Sequence, residues 1–226
     1  MEDGNSKSRD IGFIFVQLLF ALTVAEIARK TAQLCEVTNL ELKVHGFGQL
    51  VLALIVVASS WVGWANSPAS QDWAIKRTLS RRFVVLLADV TLVVLYFILI
   101  SGVKAQDDQK AIALSARAET WAMLAIFIGY GVWDILTKLW PKESRHHYLA
   151  RGWVTWVCTI LALVTHLILG NKTTLSGVLG TDAVLILIVL SFRASKDLPV
   201  GERFSKLGIS FLCITVLGLA GVFYFL

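Results

Sequence analysis

The chain has 226 residues and a formal net charge of +5; hydrophobic residues make up 56% of it and charged residues only 16%, against about 25% charged in an average soluble domain. The apolar excess is gathered into seven runs, each about long enough to cross a hydrocarbon layer of roughly 30 Å. The connections left over reach only about 10 to 15 residues, which excludes a soluble catalytic or binding domain of ordinary size. The positive charge reads as contact with anionic lipid at a cytoplasmic surface rather than with nucleic acid.

The expected fold class is all-α: a polytopic integral membrane protein, one domain over 1–226, with seven transmembrane helices at about 11–33, 46–66, 83–103, 118–140, 151–170, 176–193 and 204–226. Only helices or closed barrels satisfy their backbone groups in lipid. Barrel strands would alternate apolar and polar over about ten residues, and these runs do not.

The first run carries Glu26 about two-thirds along, with Arg29 and Lys30 after it where a signal peptide would have small residues. It reads as a retained helix. Helix 2 has Ser59, Gly63 and Asn66 on one face and ends in the Trp-Val-Gly-Trp of 61–64. Helix 3 has Asp89 in its first third. Helix 4 places Tyr130, Asp134 and Thr137 on one face, while Glu119 at its edge is expected to be solvated. Helix 5 has a stripe of Gly152, Thr155, Thr159, Ala162 and His166, spaced for a single face. Such a face suits close helix packing or a wet pathway, and His166 either titrates there or bonds to a neighbouring helix. Helix 6 has Asp182 in its first third; helix 7 has no acid, and its Gly208, Thr215, Gly218 and Gly221 suit packing or an oligomer contact.

Basic residues set the orientation. Of the 21 Lys and Arg, 14 fall in the amino-terminal segment and the second, fourth and sixth connections, and seven in the other three. The amino terminus is therefore expected in the cytoplasm and the carboxyl terminus outside, in a plasma or inner membrane. A G-protein-coupled receptor starts outside, and a retinal protein needs a lysine near the middle of its last helix, so this pattern counts against both. Six of the tryptophans, Trp61, Trp64, Trp73, Trp140, Trp153 and Trp156, fall at the inner boundary as an aromatic belt, with Trp121 at the outer one.

An ionisable group in hydrocarbon is costly and usually faces the bundle interior with a partner. Glu26 and Asp182 fall toward the outer side, Asp89 and Asp134 toward the inner. Glu26 precedes Lys30 by four residues and Asp134 precedes Lys138 by four, so each acid has an ion-pair partner along its own helix. The matched depths are those of an inverted repeat of helices 1–3 and 4–6 plus one further helix. The two Trp motifs, both on the inner side, argue against it.

Nothing in the sequence matches a nucleotide-binding glycine loop, a zinc-protease HExxH or a GxSxG elbow, and no enzyme activity, cofactor or metal site is expected. Cys35, Cys158 and Cys213 lack metal-ligand spacing, and the adjacent His146 and His147 read as part of a solvated basic loop. Leu179-Gly180-Thr181-Asp182 resembles the glycine–aspartate motif of intramembrane aspartyl proteases, but its second glycine is missing. Three plus three plus one helices resembles the trimeric intracellular cation channels, without their glycine-rich kinks. The stretches LLFALTVAE and SSWVGWANS resemble the low-temperature-requirement-like membrane proteins, with Phe15, Val16 and Gln17 where an acidic signature belongs. No residue role is carried over from any of these families.

The function expected is a channel or transporter for a small cation or proton. Its pathway candidates are Glu26, Asp89, Asp134, His166, Asp182, Tyr130, Thr155 and Thr159, with Lys30 and Lys138 as ion-pair partners. Carboxylates can replace part of a cation's hydration shell or hand on a proton. The alternative is a non-catalytic membrane subunit or effector that assembles with itself or with a soluble partner, as in stress or defence systems.

Overall fold

The computed structural model describes residues 3–66, 80–103, 114–139, 145–197 and 202–225. They form seven α-helices: α1 (Asp3–Glu36), α2 (Leu40–Ala65), α3 (Arg81–Ser101), α4 (Arg117–Asp134), α5 (Arg145–Leu169), α6 (Leu175–Asp197) and α7 (Glu202–Phe225). A π-helical turn, Ile135–Leu139, extends α4.

Five helices, α2 to α6, are each long and apolar enough to cross a membrane. The sequence expectation of seven is reached for those five. Among the described side chains α1 carries Glu26, Arg29 and Lys30 close together, and the apolar part of α7 is the shorter Cys213–Val222.

Local chemistry fixes several helix ends. Asn39 caps α2 by accepting from the backbone N–H groups of Glu41 at 3.0 Å and Leu42 at 3.1 Å, which satisfies two otherwise orphaned donors. Ser80 caps α3 by accepting from Phe83 N.

Side chains are distributed opposite to the soluble pattern. Thr155, Thr165, Thr181 and Ser191 are fully buried, whereas Leu167 is 67% and Leu217 70% exposed. Apolar outer faces with polar groups turned inward are what a lipid solvent selects. Many of the inward hydroxyls are satisfied within their own helix: Thr165 donates to Leu161 O, Thr181 to Gly177 O and Ser191 to Leu187 O. This is the back-bond that Ser and Thr make to the carbonyl four residues earlier.

The core packs around Leu52, Tyr96, Ile100, Met123, Ile126, Phe127, Leu185 and Ile188. α4 lies between α3 and α5, α6 packs on α5 and α7, and α2 runs along α1 and α6. This packing gives the 3+3 repeat no support. A two-fold relating helices 1–3 to 4–6 would turn the α2–α6 contact into an equally extensive α5–α3 contact, which the described residues do not make.

Candidate ion-binding site

Among the described residues, two groups of polar side chains that include buried acids lie inside the bundle, at opposite ends. The first is at the end that holds the Val37–Asn39 connection. α2 contributes His45 and Gln49, one turn apart on one face; α4 contributes Glu119 from its first turn; α6 contributes Asp182. All four are buried, with Glu119 and Asp182 each only 3% exposed. Gln49 Nε2 donates to Glu119 Oε2 at 2.5 Å, and His45 Nε2 stands 3.6 Å from the same oxygen. One possible ligand atom from each of His45, Glu119 and Asp182 lies within 4.8 Å of the other two. With both acids ionised, Glu119 Oε1 and both oxygens of Asp182 have no hydrogen-bond donor, while the two carboxyl groups stand close enough to share a hydrogen bond when one is protonated. A cavity of about 340 Å³ reaches this group and is lined by His45, Gln49, Gly102, Arg117 and Trp121 among others.

The second group is at the other end. Asp134 Oδ2 accepts from Thr155 Oγ1 and from Lys196 Nζ, each at 2.5 Å, so a buried acid is matched by a cation from α6. Asp89 Oδ1 accepts from Trp133 Nε1 at 2.8 Å. Trp133 and Asp134 are sequence neighbours that face different helices, so Asp89 and Asp134 have separate partners. Toward the middle of the bundle, Ser60 and Tyr130 share a hydrogen bond and Tyr96 donates to Tyr130 Oη at 3.2 Å. The Tyr130 ring stacks on Phe192 with centroids 5.2 Å apart, and the Arg193 guanidinium lies 5.4 Å from the Phe192 centroid, within cation–π range.

Between the two groups the inward faces of α2, α4 and α6 are apolar, while α1 places buried Thr23 and α5 half-buried Thr159 in the same interval, each hydroxyl donating to the carbonyl four residues earlier on its own helix. On α2 the buried residues from Leu50 to Val57 are Leu, Ala and Val; on α4 Ala122 to Phe127 contribute only apolar groups; on α6 Val184, Leu185, Ile188 and Val189 do the same. Eleven positions separate Gln49 from Ser60, a rise of about 16 Å along a helix.

Several sequence expectations are corrected by this geometry. Glu119 is not solvated: α2 and α6 cover the first turn of α4 and place it beside Asp182. Glu26, expected at the depth of Asp182, stands apart from it and pairs on its own helix with Arg29, whose Nε donates at 2.8 Å. Lys30 instead donates to Val103 O at 2.9 Å, closing the end of α3. Asp134 pairs with Lys196, on a helix that continues past its predicted end at 193; the expected partner Lys138 has its side chain outside the described residues, so that pairing stands as an expectation. His166 bonds through Nδ1 to Thr120 Oγ1 at 2.9 Å and packs on Trp121, which places it beside the first group but outside it. Thr155 meets Asp134, whereas Thr159 returns its hydroxyl to Thr155 O. On α2 Ser60 is buried, while Ser59 on the neighbouring face is half-buried and donates to Val56 O.

His45, Gln49, Ser60, Tyr96 and Lys196 were absent from the sequence expectation. The spacing of His45 and Gln49 by four was the readable sign. The side chains of Lys138, His146 and His147 lie outside the described residues, as do the connections 67–79, 104–113, 140–144 and 198–201 with their basic residues.

Two adjacent buried carboxyl groups can share a proton or, both ionised, ligate a cation. The imidazole of His45 adds a nitrogen donor to that pair. Comparison with known proteins finds no matching family model, no matching curated protein and no matching solved structure.

Proposed function

We propose that this chain is a seven-helix membrane protein that moves a small cation or proton across the bilayer. The observation that carries the reading is the placement of buried carboxylates at both ends of one bundle: Glu119 and Asp182 with His45 at one, Asp134 with Lys196 at the other. Intramembrane acids are expensive to keep, and they mark ion or proton pathways more often than they serve packing. On this reading Glu119 and Asp182 receive the ion from the adjoining cavity. Asp134, tied to Lys196 and Thr155, is the exchange point at the far end.

The apolar layer between the two groups favours a transporter over an open channel. A conducting pore needs a continuous wet path, whereas a carrier closes its middle between exposures. The basic asymmetry turns the Lys196 end to the cytoplasm, against anionic headgroups, with the amino terminus inside. The His45 end then faces outward, in a plasma or inner membrane. Self-association through the exposed apolar face of α7 is compatible with this arrangement. The experiment is ion and proton flux into liposomes containing the purified protein. Flux above that of empty liposomes is expected; its absence over a range of cations and pH gradients would reject the reading.

A further inference from the structure

We infer that His45, Glu119 and Asp182 form a binding site for a divalent transition-metal ion, with Zn²⁺ the best match to the donor set. The inference rests on reading this group as a cation site, and it does not require that the ion cross the membrane.

The donors are one imidazole nitrogen and two carboxylates, brought together from α2, α4 and α6. Mg²⁺ and Ca²⁺ take oxygen ligands, whereas imidazole mixed with carboxylate suits Zn²⁺ and its first-row neighbours. In a tetrahedral zinc site with bonds of about 2.0–2.2 Å, ligand atoms stand about 3.3–3.6 Å apart. The distance from His45 Nε2 to Glu119 Oε2 is 3.6 Å, and the Asp182 carboxylate lies within 4.8 Å of both. Completing the triangle takes a carboxylate shift on the order of 1 Å.

The unpartnered atoms point the same way. With both acids ionised, Glu119 Oε1 and both Asp182 oxygens are buried with no hydrogen-bond donor, and such atoms are costly in an interior. A divalent cation would engage them and balance both charges. A proton shared between the two carboxyl groups joins one oxygen of each and leaves the other Asp182 oxygen without a donor, whereas a metal ion takes both carboxylates together with the His45 nitrogen. The surroundings supply what a metal site needs outside its ligands. The Gln49 amide orients Glu119, as outer-shell hydrogen bonds orient metal-bound carboxylates. The cavity lined by His45 and Gln49 gives an entry path to the group from the His45 side.

The test uses the full-length protein in detergent, stripped with EDTA and titrated with Zn²⁺ by calorimetry, with thermal unfolding followed on the same samples. One Zn²⁺ per chain and a Zn²⁺-dependent rise in melting temperature are expected. Glu119→Gln, Asp182→Asn and His45→Ala should each weaken binding by more than about tenfold, while Glu36→Gln, a change at an exposed acid of the same bundle end, should bind as the parent does. Glu119→Gln and Asp182→Asn without metal should melt at or above the parent temperature, since each removes one of two adjacent buried acids; this keeps the test valid against simple misfolding. A folded parent that binds no Zn²⁺, or an Asp182→Asn variant that binds it unchanged, would overturn the site. Zn²⁺ binding without flux would uphold the site and reject transport. Flux of protons or monovalent ions without Zn²⁺ binding would do the reverse.

Discussion

Gly48 of α2 lies directly against the Asp182 carboxylate of α6: a Cβ at position 48 would stand 2.6 Å from Asp182 Oδ2. α2 packs along α6, and the missing side chain is what lets the acid sit between α2 and α4. Gly48→Ala should therefore push Asp182 out of place at a cost of about 1–3 kcal/mol, the usual range for overpacking, offset by up to about 1 kcal/mol of helix propensity, so that it is less stable than Gly221→Ala. Gly221→Ala in α7 is the matched comparison, because a Cβ there meets nothing within 4 Å. It should be neutral or stabilising by up to about 1 kcal/mol through helix propensity. Thermal unfolding of both variants in one detergent checks the pair, and equal effects would remove the role given to Gly48.

The Asp134–Lys196 pair should behave as a buried ion pair, with side chains 5% and 9% exposed. Breaking it from either side, by Asp134→Asn or Lys196→Met, should cost about 3–5 kcal/mol, since the remaining charge stays buried. The double variant should recover much of that loss, because removing both charges is often close to neutral. A double-mutant cycle on unfolding measures the coupling. Simple additivity would show that the two side chains do not depend on each other.

The orientation is open to direct labelling. With Cys35, Cys158 and Cys213 replaced, single cysteines placed near each terminus should react with a membrane-impermeant reagent from opposite sides, the amino terminus from the cytoplasm. The expectation comes from the 14-to-7 division of basic residues. Reaction of both termini from one side would reduce the number of spans to an even one, with α1 and α7 the first to re-examine.

The helices were legible because long apolar runs separated by basic connections leave few alternatives. The partners of the buried acids were not. Asp182 and Asp134 could be placed at their depths, but a single sequence does not say which face of one helix meets which face of another. Glu119 stands two residues inside α4 and looked solvated by position alone; its burial depends on α2 and α6 folding over it. Lys196 lies beyond the apolar run that ends near 193, and α6 carries it on to Asp197. Adjacent residues such as Ser59 and Ser60 exchange roles with a rotation of about 100° per residue, finer than boundaries uncertain by 2 to 4 residues can resolve.

The most direct test of the central claim is flux through reconstituted protein measured beside thermal stability on the same preparations, for the parent and for Asp182→Asn and Glu119→Gln. The account predicts flux in the parent, with both variants folded, melting no lower than the parent, and reduced at least about tenfold in rate through loss of an ion-binding carboxylate. Undiminished flux in a folded Asp182→Asn protein, or no flux of any small cation or proton through the parent, would contradict it.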